Sequence, residues 1–160
     1  MKKTIVAFFA ACSAIFAAPA SSDAFHFIRF NAGLPIAFPI DDTINGGDAF
    51  SGKNFGVDIA AFDNLTVGYD ALALGGGGAY VHKGLRIGYK LTPQIGAAFD
   101  LGNTGGNSSI TVGIFSDIIG GRTKAGILHG LALRADYYVP DTDDFGVGAI
   151  VLSVGASFGY

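Results

Sequence analysis

The sequence has no tryptophan and no glutamate, and it contains little cysteine, methionine or proline. One Cys and one Met occur in 160 residues, and both lie within the first twelve. If that N-terminal stretch is removed, disulfide bonds and thiol chemistry are excluded for the rest of the chain. The remainder then carries eight Lys and Arg residues against 13 Asp residues. This acidic balance argues against a nucleic-acid partner, because binding a phosphate backbone requires a basic face.

The N-terminal segment has the layout of a secretory signal peptide. Two lysines at positions 2–3 precede an apolar run over residues 5–18, and small residues follow. We expect a signal peptide of residues 1–20 or 1–24, with cleavage after Ala20 or Ala24. The apolar run falls short of the roughly 20 residues that a membrane-spanning helix needs. Residues 25–160 are therefore predicted to form the single folded domain.

The rest of the chain repeats a pattern in which every second residue is apolar and the residues between are small or polar. A period of two is typical of a β-strand with one apolar face. Eight such segments recur, each near the length that a tilted strand needs to cross a bilayer. They cover residues 28–34, 55–61, 65–71, 85–91, 95–101, 110–114, 131–139 and 150–160. We predict an all-β fold, an eight-stranded antiparallel transmembrane β-barrel with up-and-down meander topology.

The connections alternate in length. Strands two and three are joined by the tight turn at 63–64, and strands four and five by the turn at 92–94. The connections after strands one, three, five and seven are more open; they are residues 35–53, 75–83, 102–108 and 140–145. A barrel with both termini on one side of a membrane has short turns on that side and longer loops opposite. Residues 116–126 depart from the alternation, and we expect a longer hairpin around Gly120 and Gly121.

The last strand carries a second signal, the aromatic residue at its end. Val154, Ala156, Phe158 and Tyr160 alternate with small residues. This ending resembles the terminal strand of Gram-negative outer-membrane barrel proteins, which the barrel-assembly machinery recognises. Together with the signal peptide and the eight segments, it makes the whole chain similar to small barrels of the OmpA and OmpX class. The resemblance implies the cell outer membrane as location, and lipid, lipopolysaccharide and the assembly machinery as partners.

Aromatic residues on the apolar face lie near strand ends, as in the two interfacial girdles of a membrane barrel. They are Phe55, Phe62, Tyr89, Tyr137, Phe145, Phe158 and Tyr160. A soluble eight-stranded ligand carrier of the lipocalin kind would instead place apolar side chains inside and charges outside. If the charged face were the core of such a protein, an ion cluster would be buried in its ligand pocket and apolar rows would be exposed to water. One such row is Leu131, Leu133, Ala135, Tyr137 and Val139. We therefore regard this as the weaker interpretation.

The face opposite the apolar rows carries eight charged residues, which would line the lumen. They are Arg29, Asp58, Asp70, Arg86, Lys90, Asp100, Arg134 and Asp136. Four are positive and four are negative, so their charges cancel. Eight strands enclose a lumen that side chains can fill, and an unpaired buried charge is costly. We therefore expect structural ion pairs, including one between Arg29 and Asp58, that plug the barrel rather than line an ion path.

Catalysis is not indicated. Some small barrels are lipid-modifying enzymes with a Ser nucleophile, a His base and an orienting acid. Of the three histidines, His26 begins the first strand, His82 is predicted in an outer loop, and His129 lies on the lipid-facing register. The acidic loop segments 41–48 and 141–144 lack the spacing of a calcium loop. We expect no enzyme activity, no cofactor and no metal site.

The sequence thus favours an integral outer-membrane barrel with a side-chain-filled lumen and a structural or surface role. Two alternatives remain open. One is a narrow, porin-like passive pore, which requires a hydrated lumen. The other is an adhesin or ligand-binding surface protein that works through the first loop and the loop at 140–145. The sequence identifies no extracellular ligand.

Overall fold

A computed structural model describes residues 27–62, 64–75, 78–144 and 147–160. The predicted signal peptide and His26 lie outside the described residues, as does Phe145. Within the described part, no helix is long and apolar enough to span a lipid bilayer.

Eight antiparallel strands form one closed barrel, in which each strand pairs with its neighbours in the sequence and β8 pairs with β1. The predicted fold class, an eight-stranded meander barrel, is confirmed. The strands are β1 (Ile28–Pro39), β2 (Phe50–Ala60), β3 (Leu65–Leu74), β4 (Tyr80–Lys90), β5 (Ile95–Thr104), β6 (Asn107–Arg122), β7 (Leu128–Val139) and β8 (Ala149–Gly159). One short 3-10 turn, Asn45–Gly47, lies in the first connection.

The two ends of the barrel differ. At the end that we call the turn end, the Phe27 amide donates to the Tyr160 carbonyl at 2.6 Å, which closes the barrel beside both described termini. At the opposite end, the loop end, lie the connections at 40–49, 75–79 and 140–148. The lumen therefore has one mouth lined by short turns and one mouth surrounded mostly by longer connections.

The first connection is shorter than the sequence predicts, because β1 continues through Pro35 to Pro39. Pro35 still pairs with Ser153 of β8, but the pairing with β2 is interrupted between Gly33 and Ile36. A proline has no N–H to donate, so a strand that contains one loses ladder hydrogen bonds on one side only. The connection outside the strands is thus 40–49 rather than 35–53.

The connection between β5 and β6 was predicted to be open, and this prediction is wrong. The strands run to Thr104 and from Asn107, so only Gly105 and Gly106 join them. Their φ angles of 61° and 103° are both positive. Two positive φ values in a two-residue hairpin turn favour glycine. The abundant glycine that suggests a loop here builds a tight turn.

The irregular segment 116–126 is mostly strand. β6 extends to Arg122, and its pairing with β7 shifts between Ile119 and Gly121. This β-bulge inserts one residue, Gly120, and the hairpin then closes through a short turn over 123–127. An extended β6 with a bulge therefore replaces the expected longer hairpin around Gly120 and Gly121.

The two faces of the wall have opposite chemistry. Twenty-two large apolar side chains of the described residues are 37–74% exposed, and the strand-borne ones belong mostly to the apolar rows of the sequence. The buried polar side chains lie mostly on the opposite, inward face, where Arg86 and Asp70 are 1% and 0% exposed. Alternation along each strand thus places polar groups inside and apolar groups outside.

Candidate functional site: the lumen

The inward face brings charged side chains from seven strands into one network. Register sets the first contacts: Arg29 of β1 lies opposite Asp58 of β2, and Arg86 of β4 lies opposite Asp100 of β5. Because successive side chains alternate between faces, each residue points inward together with its cross-strand partner. The eight strands enclose a narrow lumen, so side chains also reach the opposite wall.

Arg29 anchors the part of the network nearest the turn end. Its Nη2 atom lies 3.0 Å from Asp58 Oδ2, and its Nη1 atom donates to Asp117 Oδ2 at 2.8 Å. The three side chains are at most 8% exposed. One guanidinium thus holds two carboxylates from different walls of the barrel.

Arg134 anchors the part nearer the loop end. It contacts three carboxylates: Asp70 at 2.7 Å, Asp136 at 3.1 Å and Asp100 at 3.4 Å. The Thr111 hydroxyl also donates a hydrogen bond to Asp100. A guanidinium has five N–H donors in a planar fork, which suits it to several carboxylates at once.

Arg86 lies between these two groups and connects them. Its contacts are longer, 3.5 Å to Asp58, 3.6 Å to Asp100 and 3.8 Å to Asp70. These are ion pairs at the limit of direct contact rather than aligned hydrogen bonds. The three arginines and their carboxylates therefore form one continuous network of ion pairs along the lumen.

An aromatic ring packs within this network of ion pairs. The Phe115 centroid lies 4.7 Å from Arg29 Cζ and 5.3 Å from Arg86 Cζ, within the range of cation–π attraction. Gly96 makes room for the ring, because a Cβ atom there would lie 2.4 Å from Phe115 Cζ. Phe115 therefore occupies space that water would otherwise fill between two cations.

Seven of the eight predicted lumen residues are buried and take part in these ion pairs. The eighth, Lys90, is only partly buried and lines a small cavity of about 10 Å³ at the turn end beside Arg29 and Asp58. The sequence interpretation missed Asp117 and Phe115, because it ended the sixth strand at Ile114. With Asp117 included, five lumen carboxylates face four cations, so the charges do not cancel.

His82 lies in β4 and not in an outer loop, which corrects the prediction made from the sequence. It is fully buried, and its Nδ1 atom is hydrogen-bonded to Ser109 Oγ at 2.8 Å. Tyr138 OH donates to Thr104 Oγ1, and Thr104 Oγ1 donates to Ser109 Oγ, each at 2.9 Å. Tyr138, Thr104, Ser109 and His82 thus form one hydrogen-bonded chain of side chains from four different strands. The polar lumen thus continues from the ion network toward the loop end.

An apolar cluster closes the loop end above these polar groups. Its buried members are Ala37, Ile44, Leu72, Leu74, Tyr138, Ala149 and Val151. Ile44 belongs to the first connection, and only 1% of its surface is exposed. The first loop therefore folds back into the mouth of the barrel and contributes a side chain to its closure.

Three residues of the predicted assembly signal lie on the outer face of β8, and the fourth, Tyr160, directly follows that strand. Val154, Phe158 and Tyr160 are about half exposed or more, and Ala156 is partly exposed. His129 is also exposed. Among the described residues, no three His, Cys, Asp or Glu side chains converge as a metal site would require.

Comparison with known proteins adds no relative. The chain matches no protein-family model, and searches of curated proteins and of solved structures find no match to it.

Proposed function

We propose that this protein is an integral β-barrel of a bacterial outer membrane, with a side-chain-filled lumen and a structural or surface role. The observation that carries the proposal is that the apolar face of the wall points outward and the charged face points inward, the reverse of a soluble protein. Large apolar side chains such as Leu34, Leu85 and Leu101 are 56–68% exposed on the outside, while the arginine–aspartate chain is buried inside.

This inversion is costly in water and favourable in lipid. Monomeric soluble proteins rarely expose contiguous apolar patches larger than a few hundred Å², whereas here the apolar rows lie on adjacent strands around the barrel. Each Å² of apolar surface left in water forgoes about 25 cal/mol of burial free energy. A lipid environment removes this cost, and closure leaves no strand edge with unpaired backbone groups.

The filled lumen favours a plug over a pore. The network of ion pairs and the Phe115 ring occupy the middle of the lumen, and the apolar cluster with Ile44 closes the loop end. We infer no catalytic role, since the Ser109–His82 pair is enclosed beneath this apolar cluster. Assembly would use the outward residues of β8, recognised by the barrel-assembly machinery, and the apolar outer surface would contact lipid and lipopolysaccharide.

Cell fractionation combined with gel mobility tests the membrane proposal. We expect the protein in the outer-membrane fraction, with a folded band in cold detergent that shifts to its full apparent mass after boiling. Closed barrels resist detergent until heated because all backbone hydrogen bonds are satisfied within the wall. A soluble periplasmic protein with one mobility under both conditions would refute the proposal.

Planar-bilayer recording tests the plug separately. We expect little or no steady current from the purified wild-type protein. A narrow passive pore, the second candidate, predicts reproducible open-channel current and an ion selectivity that changes when Arg86 is replaced. Such current would overturn the plug while leaving the membrane location intact.

A further inference from the structure

The loop end contains a cleft that the lumen network does not use. Its volume is about 310 Å³, near the lower limit of known small-molecule pockets. It opens between the first connection, the start of β4, the β5–β6 turn and the connection at 140–148. Its lining residues are Thr43, Ile44, Ala79, Tyr80, Thr104, Gly105, Asn107, Pro140, Asp141 and Val147.

The lining combines an apolar surface with one carboxylate. Ile44, Tyr80 and Val147 belong to, or pack against, the apolar cluster that closes the barrel. Asp141 accepts a hydrogen bond from Asn107 Nδ2 at 2.6 Å and another from the Asp143 amide at 3.0 Å. A carboxylate offers about four acceptor positions, so each oxygen of Asp141 can accept one more donor. These two hydrogen bonds also hold the carboxylate in place at the edge of the cleft.

The surroundings of the cleft are acidic. The four connections at the loop end, residues 40–49, 75–79, 105–106 and 140–148, contain no Lys, Arg or His. They contain six aspartates, which are Asp41, Asp42, Asp48, Asp141, Asp143 and Asp144. Like charges on neighbouring loops produce a negative potential that attracts cations and repels anions.

We propose that this cleft binds an amphiphilic organic cation, an ammonium or guanidinium group attached to a small apolar body. The cationic group would donate to Asp141, and the apolar body would pack against Tyr80 and Val147, which are partly exposed. An organic cation fits better than a bare metal ion, because the described carboxylates do not converge and half of the lining is apolar. This inference goes beyond the proposed membrane role and does not depend on it.

Titration of the purified, isotope-labelled protein in zwitterionic detergent tests the proposal. The probe is phenylethylammonium, and the controls are 2-phenylethanol, which lacks the charge, and phenylacetate, which reverses it. We expect saturable amide shifts at Tyr80, Thr104 and Asn107 with the cation and much weaker effects with both controls. Equal binding of the cation and the alcohol would overturn the proposal, as would no saturable shift at these three amides.

Two variants locate the contact. Asp141→Asn keeps the shape of the side chain and should raise the Kd by about tenfold or more, because it removes a charge-assisted hydrogen bond. Asp48→Asn removes a charge from the same end without altering the lining, and we expect less than about a threefold change. Ala79→Trp fills the cleft from an exposed position and should abolish binding while gel mobility stays normal. An equal rise in Kd for Asp141→Asn and Asp48→Asn, or unchanged binding of the cation to Ala79→Trp, would mean that the acidic loops attract cations without a specific site. Either result would refute the proposal.

Discussion

Removing Arg29 is the sharpest test of the ion network, because this guanidinium holds two carboxylates at 3.0 and 2.8 Å. At an effective dielectric constant of about 20, the attraction across 3 Å is about 5–6 kcal/mol per pair, partly offset by the cost of taking the charges out of water. Arg29→Met keeps an apolar stem, but it leaves the buried Asp117 without its ion-pair partner and leaves Asp58 with only its longer contact to Arg86. We expect the free energy of unfolding to fall by about 3–5 kcal/mol.

A second substitution measures the interaction energy between Arg29 and one of its carboxylates separately from the effect of each substitution alone. Asp58 also contacts Arg86 at 3.5 Å, so Asp117 is the carboxylate to neutralise. In the double variant Arg29→Met with Asp117→Asn, the carboxylate that would lack a partner has been neutralised. We expect a smaller loss than in Arg29→Met alone, with a coupling of about 1–3 kcal/mol.

The assay is reversible urea unfolding in detergent micelles or vesicles, followed by far-UV circular dichroism and gel mobility because the chain has no tryptophan. Lys124→Met, at an exposed turn position, is the control and should change stability by no more than about 0.5 kcal/mol. If Arg29→Met costs less than about 1 kcal/mol and the two substitutions are additive, the charges are hydrated and screened. The plug would then be refuted.

Three further predictions concern the wall and its assembly. Deleting residues 158–160 should sharply reduce the heat-modifiable form in the outer-membrane fraction, and a normal yield would contradict the proposed assembly signal. Leu133→Arg places a charge on the outer face and should lower the free energy of unfolding in lipid by about 2–4 kcal/mol. A paramagnetic lipid quencher should reach a label at Leu133 but not one at the inward Ala132. The reverse pattern would show that the inward and outward faces have been assigned the wrong way round. Gly96→Ala forces a Cβ atom against Phe115 and should cost about 1–3 kcal/mol in the urea assay; Phe115→Leu should relieve part of that loss, and the absence of any rescue would argue against the close contact.

The sequence alone was sufficient for the strand rows and for the inward or outward direction of most side chains. Alternation with a period of two depends only on the geometry of an extended chain, so Phe30 and Arg29 point to opposite faces wherever β1 lies. The meander followed from short connections between consecutive strands. Strand ends were harder to predict, because Gly105 and Gly106 suit a loop and a tight turn equally well. The bulge at Gly120 similarly concealed the full length of β6, and with it Asp117.

Tertiary structure decided which inward groups meet. Arg134 and Asp70 are 64 residues apart, and Arg29 and Asp117 are 88 apart, yet each pair is joined by a hydrogen bond. Periodicity gives the face of a residue, but its height and its position around the barrel depend on the register of every strand and on closure between β1 and β8. The burial of Ile44 has a similar origin, since a loop folds into the mouth only where the wall leaves apolar space to fill. The sequence determined which side of the wall each strand residue faces, and closure of the barrel determined its partners across the lumen.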